Sequence, residues 1–352
     1  MLPAEESAAL PPRPQEQLLI DALAWLPAGR LLTNTVGRAQ FAQAYAAAHP
    51  KAKVVCWSLD LYQHQQIEAA LGETARVQSV CQADLPTDPC DVAALALSKQ
   101  GDGELARDLL QQAFLALREG GMLVASTDNP DDTWLGEQCA RFATKVTRQA
   151  FESGAVYSLT RTEPLKKIKR YEAEVVFRDH GNLLKLVTRP GVFNHRQLDA
   201  GARALLNATA VDVDLNVLDI GCGSGAVALG IAARDPSLFV YAIDSNARAV
   251  ECTERNAAAN NLTNVTVALD CDGSSVDEGD FDLAVANPPY YSNFRIAELF
   301  VQIAAKALCR GGQLLVVTKT PEWYAENLPA LGFTYSDVAE AKNYTIVQAE
   351  RD

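Results

Sequence analysis

The amino-acid sequence predicts an α/β protein made of two tandem, doubly wound domains related by duplication. Three observations carry that expectation. From residue 216 onward, apolar strand-like runs alternate with helical patterns, the signature of a largely parallel sheet. The first of those strands opens into a glycine loop, "VLDIGCGSG". The first half of the chain repeats the plan of the second at fixed spacing.

The second half reads element by element. "NVLDI" (216–220) is an apolar strand and "AVALGIAARDP" (226–236) a helical pattern. "LFVYAID" (238–244) is a second strand, "ARAVECTERNAAANN" (247–261) a helix and "VTVALD" (265–270) a third strand. After the strand "FDLAVA" (281–286) come a helix over 296–308, a turn at Arg310-Gly311-Gly312 and the strand "QLLVVT" (313–318). A helix near 322–330 and two short β-runs close the chain.

The repeat can be followed residue by residue. At an offset of 186, Arg30-Leu31-Leu32 lies on Asn216-Val217-Leu218, Gly37 on Gly223, His49-Pro50 on Asp235-Pro236, and "KVVCWS" (53–58) on "FVYAID" (239–244). After a five-residue slip, Asp91 matches Asp282, and Gly120 to Val124 match Gly311 to Leu315. The differences concentrate where a ligand would be held. Thr33, Thr35, Ala39 and Ser58 stand in place of Asp219, Gly221, Gly225 and Asp244, and Ala96-Leu97-Ser98-Lys99 stands in place of 287–290. The first half is therefore expected to be a degenerate copy, a scaffold rather than a second site. The boundaries read from the sequence are a disordered acidic, Pro-rich lead over 1–15, the degenerate domain over 16–160, a basic linker or edge strands over 161–187, and the ligand-binding domain over 188–352.

Composition narrows the class. With 48% hydrophobic and 21% charged residues the chain is that of a soluble globular protein, and no run is long enough to span a membrane. Eight scattered cysteines without a CxxC pair read as reduced thiols of a cytoplasmic protein, and four isolated histidines offer no metal-ligand spacing, so no metal is expected. The net charge of −13 argues against a polyanionic partner until its distribution is considered. Residues 141–196 hold 12 Lys/Arg against 5 Asp/Glu, and within them "RTEPLKKIKR" places Lys166, Lys167, Lys169 and Arg170 together. A solvated linker would account for such a run, and so would a surface that docks RNA.

The glycines at 221, 223 and 225 let the backbone approach a ligand closely and lead into a helix, whose N–H groups favour negative charge. Alone they also fit a dinucleotide site. Asp219 does not, because a carboxylate there would repel a pyrophosphate but could hold an ammonium group through the loop or a water. Asp244, at the end of the second strand, suits a ribose diol. A further strand, 281–286, ends in Asn287-Pro288-Pro289-Tyr290. Neither proline can donate to a sheet, so the strand must stop there and present one amide, free carbonyls and an aromatic ring. Such a tip is a clamp for a planar NH2. The Asn287 oxygen and the Pro288 carbonyl can accept its hydrogens and stabilise charge developing on nitrogen, while Tyr290 stacks on the plane.

On these residues the sequence resembles the class I S-adenosylmethionine-dependent methyltransferases. The resemblance implies S-adenosyl-L-methionine as cofactor. The loop Asp219, Ile220, Gly221, Cys222, Gly223 and Gly225 would hold its amino-acid end, Asp244 with Ser245 its ribose, and Asp270 or Asp272 its adenine. In methyltransferases that resemble this one, the four-residue tip marks methylation of exocyclic amino nitrogens. The degenerate first half, with "TRPGVFNHRQLDAGARALL" (188–206) ahead of the loop, resembles the bacterial ribosomal RNA guanine-N2 methyltransferases. That implies ribosomal RNA or a ribosomal subunit as partner; in the 188–206 segment Phe193 either covers the methionine end of the cofactor or belongs to a plain helix lead-in. The chain departs from that pattern in its acidity and in Tyr290, where phenylalanine is usual. Adenine N6, a protein glutamine N5, or an RNA- or cofactor-binding protein without turnover are the alternatives.

Overall fold

The computed structural model describes residues 10–72, 76–289, 293–341 and 344–352, with the backbone alone over 336–341. The chain divides into two compact units, Met1–Tyr171 and Glu172–Asp352. Among the described residues no helix is long and apolar enough to cross a membrane.

In the first unit the order is α1 (Pro14–Asp21), β1 (Leu31–Asn34), α2 (Gln40–Ala48), β2 (Val54–Ser58), α3 (Leu61–Leu71), β3 (Val77–Cys81), β4 (Cys90–Leu97), α4 (Gly103–Ala116), β5 (Leu117–Thr127), α5 (Trp134–Cys139), β6 (Thr147–Phe151) and β7 (Gly154–Thr160). The expected disordered lead over 1–15 overlaps α1. Pro14 sits in its first turn, where a missing N–H costs nothing, and Gln15, Leu18 and Leu19 are buried. Residues 161–170 form no regular element, and the Gln111 side chain pins the backbone of Lys169 from both sides.

The second unit runs β8 (Ala173–Asp179), β9 (Asn182–Thr188), α6 (Ala200–Ala208), β10 (Asn216–Ile220), α7 (Ala226–Ala232), β11 (Phe239–Asp244), α8 (Ala247–Ala259), β12 (Val265–Leu269), β13 (Phe281–Ala286), α9 (Arg295–Ala307), β14 (Leu308–Thr318), α10 (Pro321–Asn327), β15 (Phe333–Ala341) and β16 (Tyr344–Arg351). The turn expected at 310–312 is absorbed into β14. The pairing of β13 with β14 steps from Phe281↔Leu308 to Leu283↔Gln313, and Gly311 takes φ +78° to make the bulge.

The two seven-stranded sheets have the same order, β3-β2-β1-β4-β5-β7-β6 and β12-β11-β10-β13-β14-β16-β15. Their registers coincide as well. Leu31 pairs with Val54 as Val217 pairs with Val240, each residue 186 positions on. Val92 pairs with Met122 as Leu283 pairs with Gln313, each 191 positions on. The spacing in the sequence is thus the spacing of two sheets laid out alike.

The sheet of the second unit separates two apolar layers. Leu205, Leu206, Leu229 and Ile231 pack on one face, and Val301, Ala304, Tyr324 and Leu328 pack on the other. Of the span 161–187 expected as linker or edge strands, residues 173–187 form, together with Thr188, a two-stranded hairpin of β8 and β9 within this unit. Its open edge is satisfied by Asn256 of α8 and by Asn260, which caps the C-terminus of that helix. Asn256 exchanges two hydrogen bonds with the backbone of Val187, and Asn260 two with that of Lys185. A buried ion pair from Arg234 to Asp179 (2.8 Å) ties β8 to the loop after α7, and the same guanidinium donates to the carbonyls of Leu206 and Thr209.

Candidate active site

Register places the site. Parallel pairing sets Ile220 beside Ile243 on one side and Ala286 on the other, so β11, β10 and β13 end together. The next residues of β10 and β13 are Gly221 and Asn287, and Asp244 closes β11. Ligands of open parallel sheets bind at these C-terminal strand ends.

The loop after β10 is held by its neighbours. The N–H groups of Gly221 (2.8 Å) and Cys222 (3.0 Å) donate to the carbonyl of Ile243, Thr253 Oγ1 donates to the Gly223 carbonyl (3.1 Å), and Asn256 Nδ2 donates to that of Ser224 (2.9 Å). Glycine is required at two points. At Gly221 (φ +78°) a Cβ would sit 2.8 Å from the Phe300 ring, and at Gly225 (φ +85°) one would sit 2.7 Å from Leu229. Ile220 points into the core, and Cys222 is buried with its thiol pushed well above the usual range by desolvation. Of the expected loop residues, these two offer a ligand backbone rather than side chain.

Asp219 is 3% exposed and lines the cleft. Its Oδ2 accepts the N–H of Ala228 at 2.9 Å. Burial pushes its carboxyl up to about 7 despite that hydrogen bond, and the charge of Asp244 adds to the rise. A buried carboxyl so poised fits a cationic ligand group. Asp244 is half-buried, and its two oxygens accept from Gly223 N (2.8 Å) and Asn246 N (2.9 Å). These two bonds tie it to the loop after β10 and to Asn246, which caps α8. Ser245 follows, half-buried.

The expectation that Asp270 faces a ligand needs correction. The residue is 4% exposed, and its carboxylate accepts from the N–H groups of Asp272, Gly273 and Ser275 and from Ser275 Oγ. Burial alone would raise its carboxyl, but these donors hold it below the usual range. It organises the 270–275 turn. The other acid of the expected pair, Asp272, is exposed.

Asn287 is half-buried, Pro288 buried and Pro289 half-buried; Tyr290 lies outside the described residues. The Asn287 amide donates from Nδ2 to Asp199 Oδ2 at 2.8 Å. Asp199 caps α6, accepting from Ala202 N at 2.8 Å, and its other oxygen accepts from Asn194 Nδ2. Asp199, Asp219, Gly221 to Ser224, Asn287 and the 59% exposed Phe193 line one cleft that is open to solvent. Asp199 was not singled out from the sequence, although an aspartate ahead of "AGARALL" is a recognisable helix cap.

The corresponding place in the first unit is filled by the chain itself. Glu16 of α1 is fully buried and accepts from Thr35 Oγ1 and from Val36 N (3.3 Å). Asn34 is bonded at both ends of its amide to the backbone of Ala96. Lys166, Lys167, Lys169 and Arg170 are exposed in that unit, with the Lys169 ammonium 4.9 Å from the Tyr171 ring centre. Among the described residues no group of three or more His, Cys, Asp or Glu could hold a metal ion.

Comparisons agree with this geometry. The family model "Methyltransferase small domain" matches residues 183–348. The ribosomal RNA small subunit methyltransferase C of Shewanella loihica is 29% identical over 321 residues, 86% of this chain and 89% of that protein. The uncharacterized protein YbxB of Bacillus subtilis is 30% identical over 166 residues, 46% of this chain and 83% of that protein. With some relatives of the first name the match is shorter: in that of Vibrio vulnificus, 33% identical over 40% of this chain, it spans 42% of the protein's length. Among solved structures, the T. thermophilus 16S rRNA N2 G1207 methyltransferase in complex with AdoMet and guanosine matches with a TM-score of 0.78, covering 99% of this chain and 94% of that one at 18% identity, a likeness of fold.

Proposed function

Because the chain belongs to the methyltransferase small-domain family, we propose that it transfers a methyl group from S-adenosyl-L-methionine to the N2 amino group of a guanine in small-subunit ribosomal RNA. The observation that carries this reading is the single cleft in which Asn287, at the tip of β13, faces the Gly221–Ser224 loop at the tip of β10. The substrate follows from the relatives, named for the small-subunit RNA and, in the T. thermophilus protein, for guanine N2. The same two-unit plan runs through nearly the whole of that chain, which favours guanine over an adenine N6 or a glutamine amide.

The residues take the following parts. Asp219 receives the cofactor's ammonium group, the loop backbone from Gly221 to Gly225 carries its amino-acid end, and Asp244 receives the ribose hydroxyls. Asp272 would read the adenine amino group, and Phe193 would cover the methionine end. When bound, the cofactor supplies a methyl group on a sulfonium sulfur, which becomes a neutral thioether as the methyl leaves. The guanine N2 lone pair is delocalised into its ring, so the protein's task is orientation. Asn287 Oδ1 and the Pro288 carbonyl accept the two N–H hydrogens and turn the lone pair toward the methyl. Both acceptors would stabilise the positive charge that develops on nitrogen when it takes the methyl group, and one N2 proton would then pass to water. Tyr290 is the stacking partner for the base. Lys166, Lys167, Lys169 and Arg170 supply phosphate contacts that carry no sequence information.

The test is transfer of a labelled methyl group to ribosomal RNA or small subunits. Incorporation by the wild type that is lost in Asn287→Ala supports the reading. Wild-type protein that binds the cofactor and labels neither RNA nor subunits overturns it.

A further inference from the structure

We propose that Asp199 is a positioning residue for methyl transfer: its carboxylate fixes which end of the Asn287 amide meets the substrate amino group. The inference rests on the functional reading above, in which that amide is an acceptor. A primary amide has two ends of similar size and opposite chemistry. Turned by half a rotation, Asn287 would present an NH2 group to an NH2 group, and the clamp would repel what it should hold. Something must select the orientation, and the strand that carries Asn287 cannot, because the choice is made at the last side-chain torsion.

Asp199 makes the selection. An ionised carboxylate only accepts hydrogen bonds, so the 2.8 Å contact from Oδ2 must be to the Nδ2 end of the amide. The carboxylate is itself immobilised by Ala202 N at 2.8 Å on the same oxygen and by Asn194 Nδ2 on the other. Charge assistance makes the selecting bond stronger than one between neutral groups. Gly201 completes the device. It lies in the first turn of α6 at an ordinary negative φ, so backbone freedom does not explain it, and glycine is a poor helix former. A Cβ there would meet Asp199 Oδ2 at 2.8 Å and the Asn287 amide at 3.1 Å (Oδ1) and 3.3 Å (Nδ2). Close approach of the helix to the amide is what requires glycine.

The discriminating variant is Asp199→Ser. Serine remains a good helix cap but is one bond shorter and uncharged, so α6 keeps its start while the amide loses its anchor. We expect kcat for RNA methylation to fall about ten- to a hundredfold, with KM for RNA and the melting temperature essentially unchanged. In an Asn287→Ala background the same change should have no further effect, because there is no amide left to orient. Equal losses in both backgrounds would mean that Asp199 acts only on structure, and an unchanged kcat would mean that it does not act at all; either overturns the proposal. A second readout does not depend on turnover. In full-length protein labelled with 15N-asparagine, the side-chain NH2 pair that disappears in Asn287→Ala should shift in Asp199→Ser. A pair that stays in place shows that no such bond exists. If the wild type methylates no guanine, the functional reading fails instead, and the amide resonances still decide whether Asp199 holds Asn287.

Discussion

Replacing Asp219 with asparagine should stabilise the free protein at alkaline pH and weaken its grip on the cofactor. The carboxyl of Asp219 titrates near 7 in the folded chain against an ordinary value of 3.8, because it is buried, and Asp244 adds to the shift. Between those two values the folded state retains a proton that the unfolded state has released. Stability therefore falls as pH rises through the window, by at most about 1.4 kcal/mol per pH unit, and on the order of 4 kcal/mol is lost by pH 8. Asparagine cannot ionise, and its oxygen can still accept from Ala228 N. Relative to wild type, Asp219→Asn should thus be close in stability at pH 4 and several kcal/mol more stable at pH 8, as read from urea denaturation of both proteins at both pH values. The cofactor reverses the sign of the effect. Its ammonium needs the ionised carboxylate, so wild-type affinity should rise as pH passes 7. At pH 8 the variant should bind about ten- to a hundredfold more weakly by calorimetry, through loss of a charge-assisted hydrogen bond. A stability difference that does not change with pH, together with equal cofactor affinity, would refute the placement of Asp219.

The remaining predictions concern the two units and the tip of β13. Calorimetry of the full chain should give one cofactor per protein, since Glu16 fills the loop of the first unit that corresponds to Gly221–Gly223; two sites would show that the first unit is not degenerate. Asn287→Ala should lower the single-turnover rate by on the order of a hundredfold with RNA affinity nearly intact, and a retained rate would reduce the tip to a turn. Removing the four charges at Lys166, Lys167, Lys169 and Arg170 should weaken RNA binding and flatten its salt dependence while leaving the saturated rate alone; normal binding would place the docking surface elsewhere.

The parts of this molecule that were legible in its sequence share a physical reason. Strand runs such as "FVYAID" and "FDLAVA", separated by helices, allow one kind of sheet, and the offsets of 186 and 191 reappear in the pairing of Leu31 with Val54 and Val92 with Met122. Gly221, Gly225 and Asn287 were legible because backbone geometry and strand termination leave marks on residue type. The direction of a side chain leaves none. Asp270 directly follows β12 much as Asp244 closes β11, yet it turns inward to four donors of its own loop. Asp199 and Gly201 were hidden for another reason: their partner Asn287 is 88 residues from Asp199 along the chain, and only the fold brings α6 against the tip of β13. The edge of the β8–β9 hairpin was hidden in the same way, satisfied by asparagines about 70 residues distant.

Methylation of guanine N2 in small-subunit ribosomal RNA, at the cleft between the β10 loop and the tip of β13, is the reaction to be demonstrated. Its most direct test is to methylate that RNA, or the subunit containing it, with the purified protein and labelled S-adenosyl-L-methionine, digest it to nucleosides and identify the labelled product by chromatography and mass spectrometry. The expected product is N2-methylguanosine, with none formed by Asn287→Ala. Label in N6-methyladenosine, or in glutamine residues of protein in place of RNA, would contradict it.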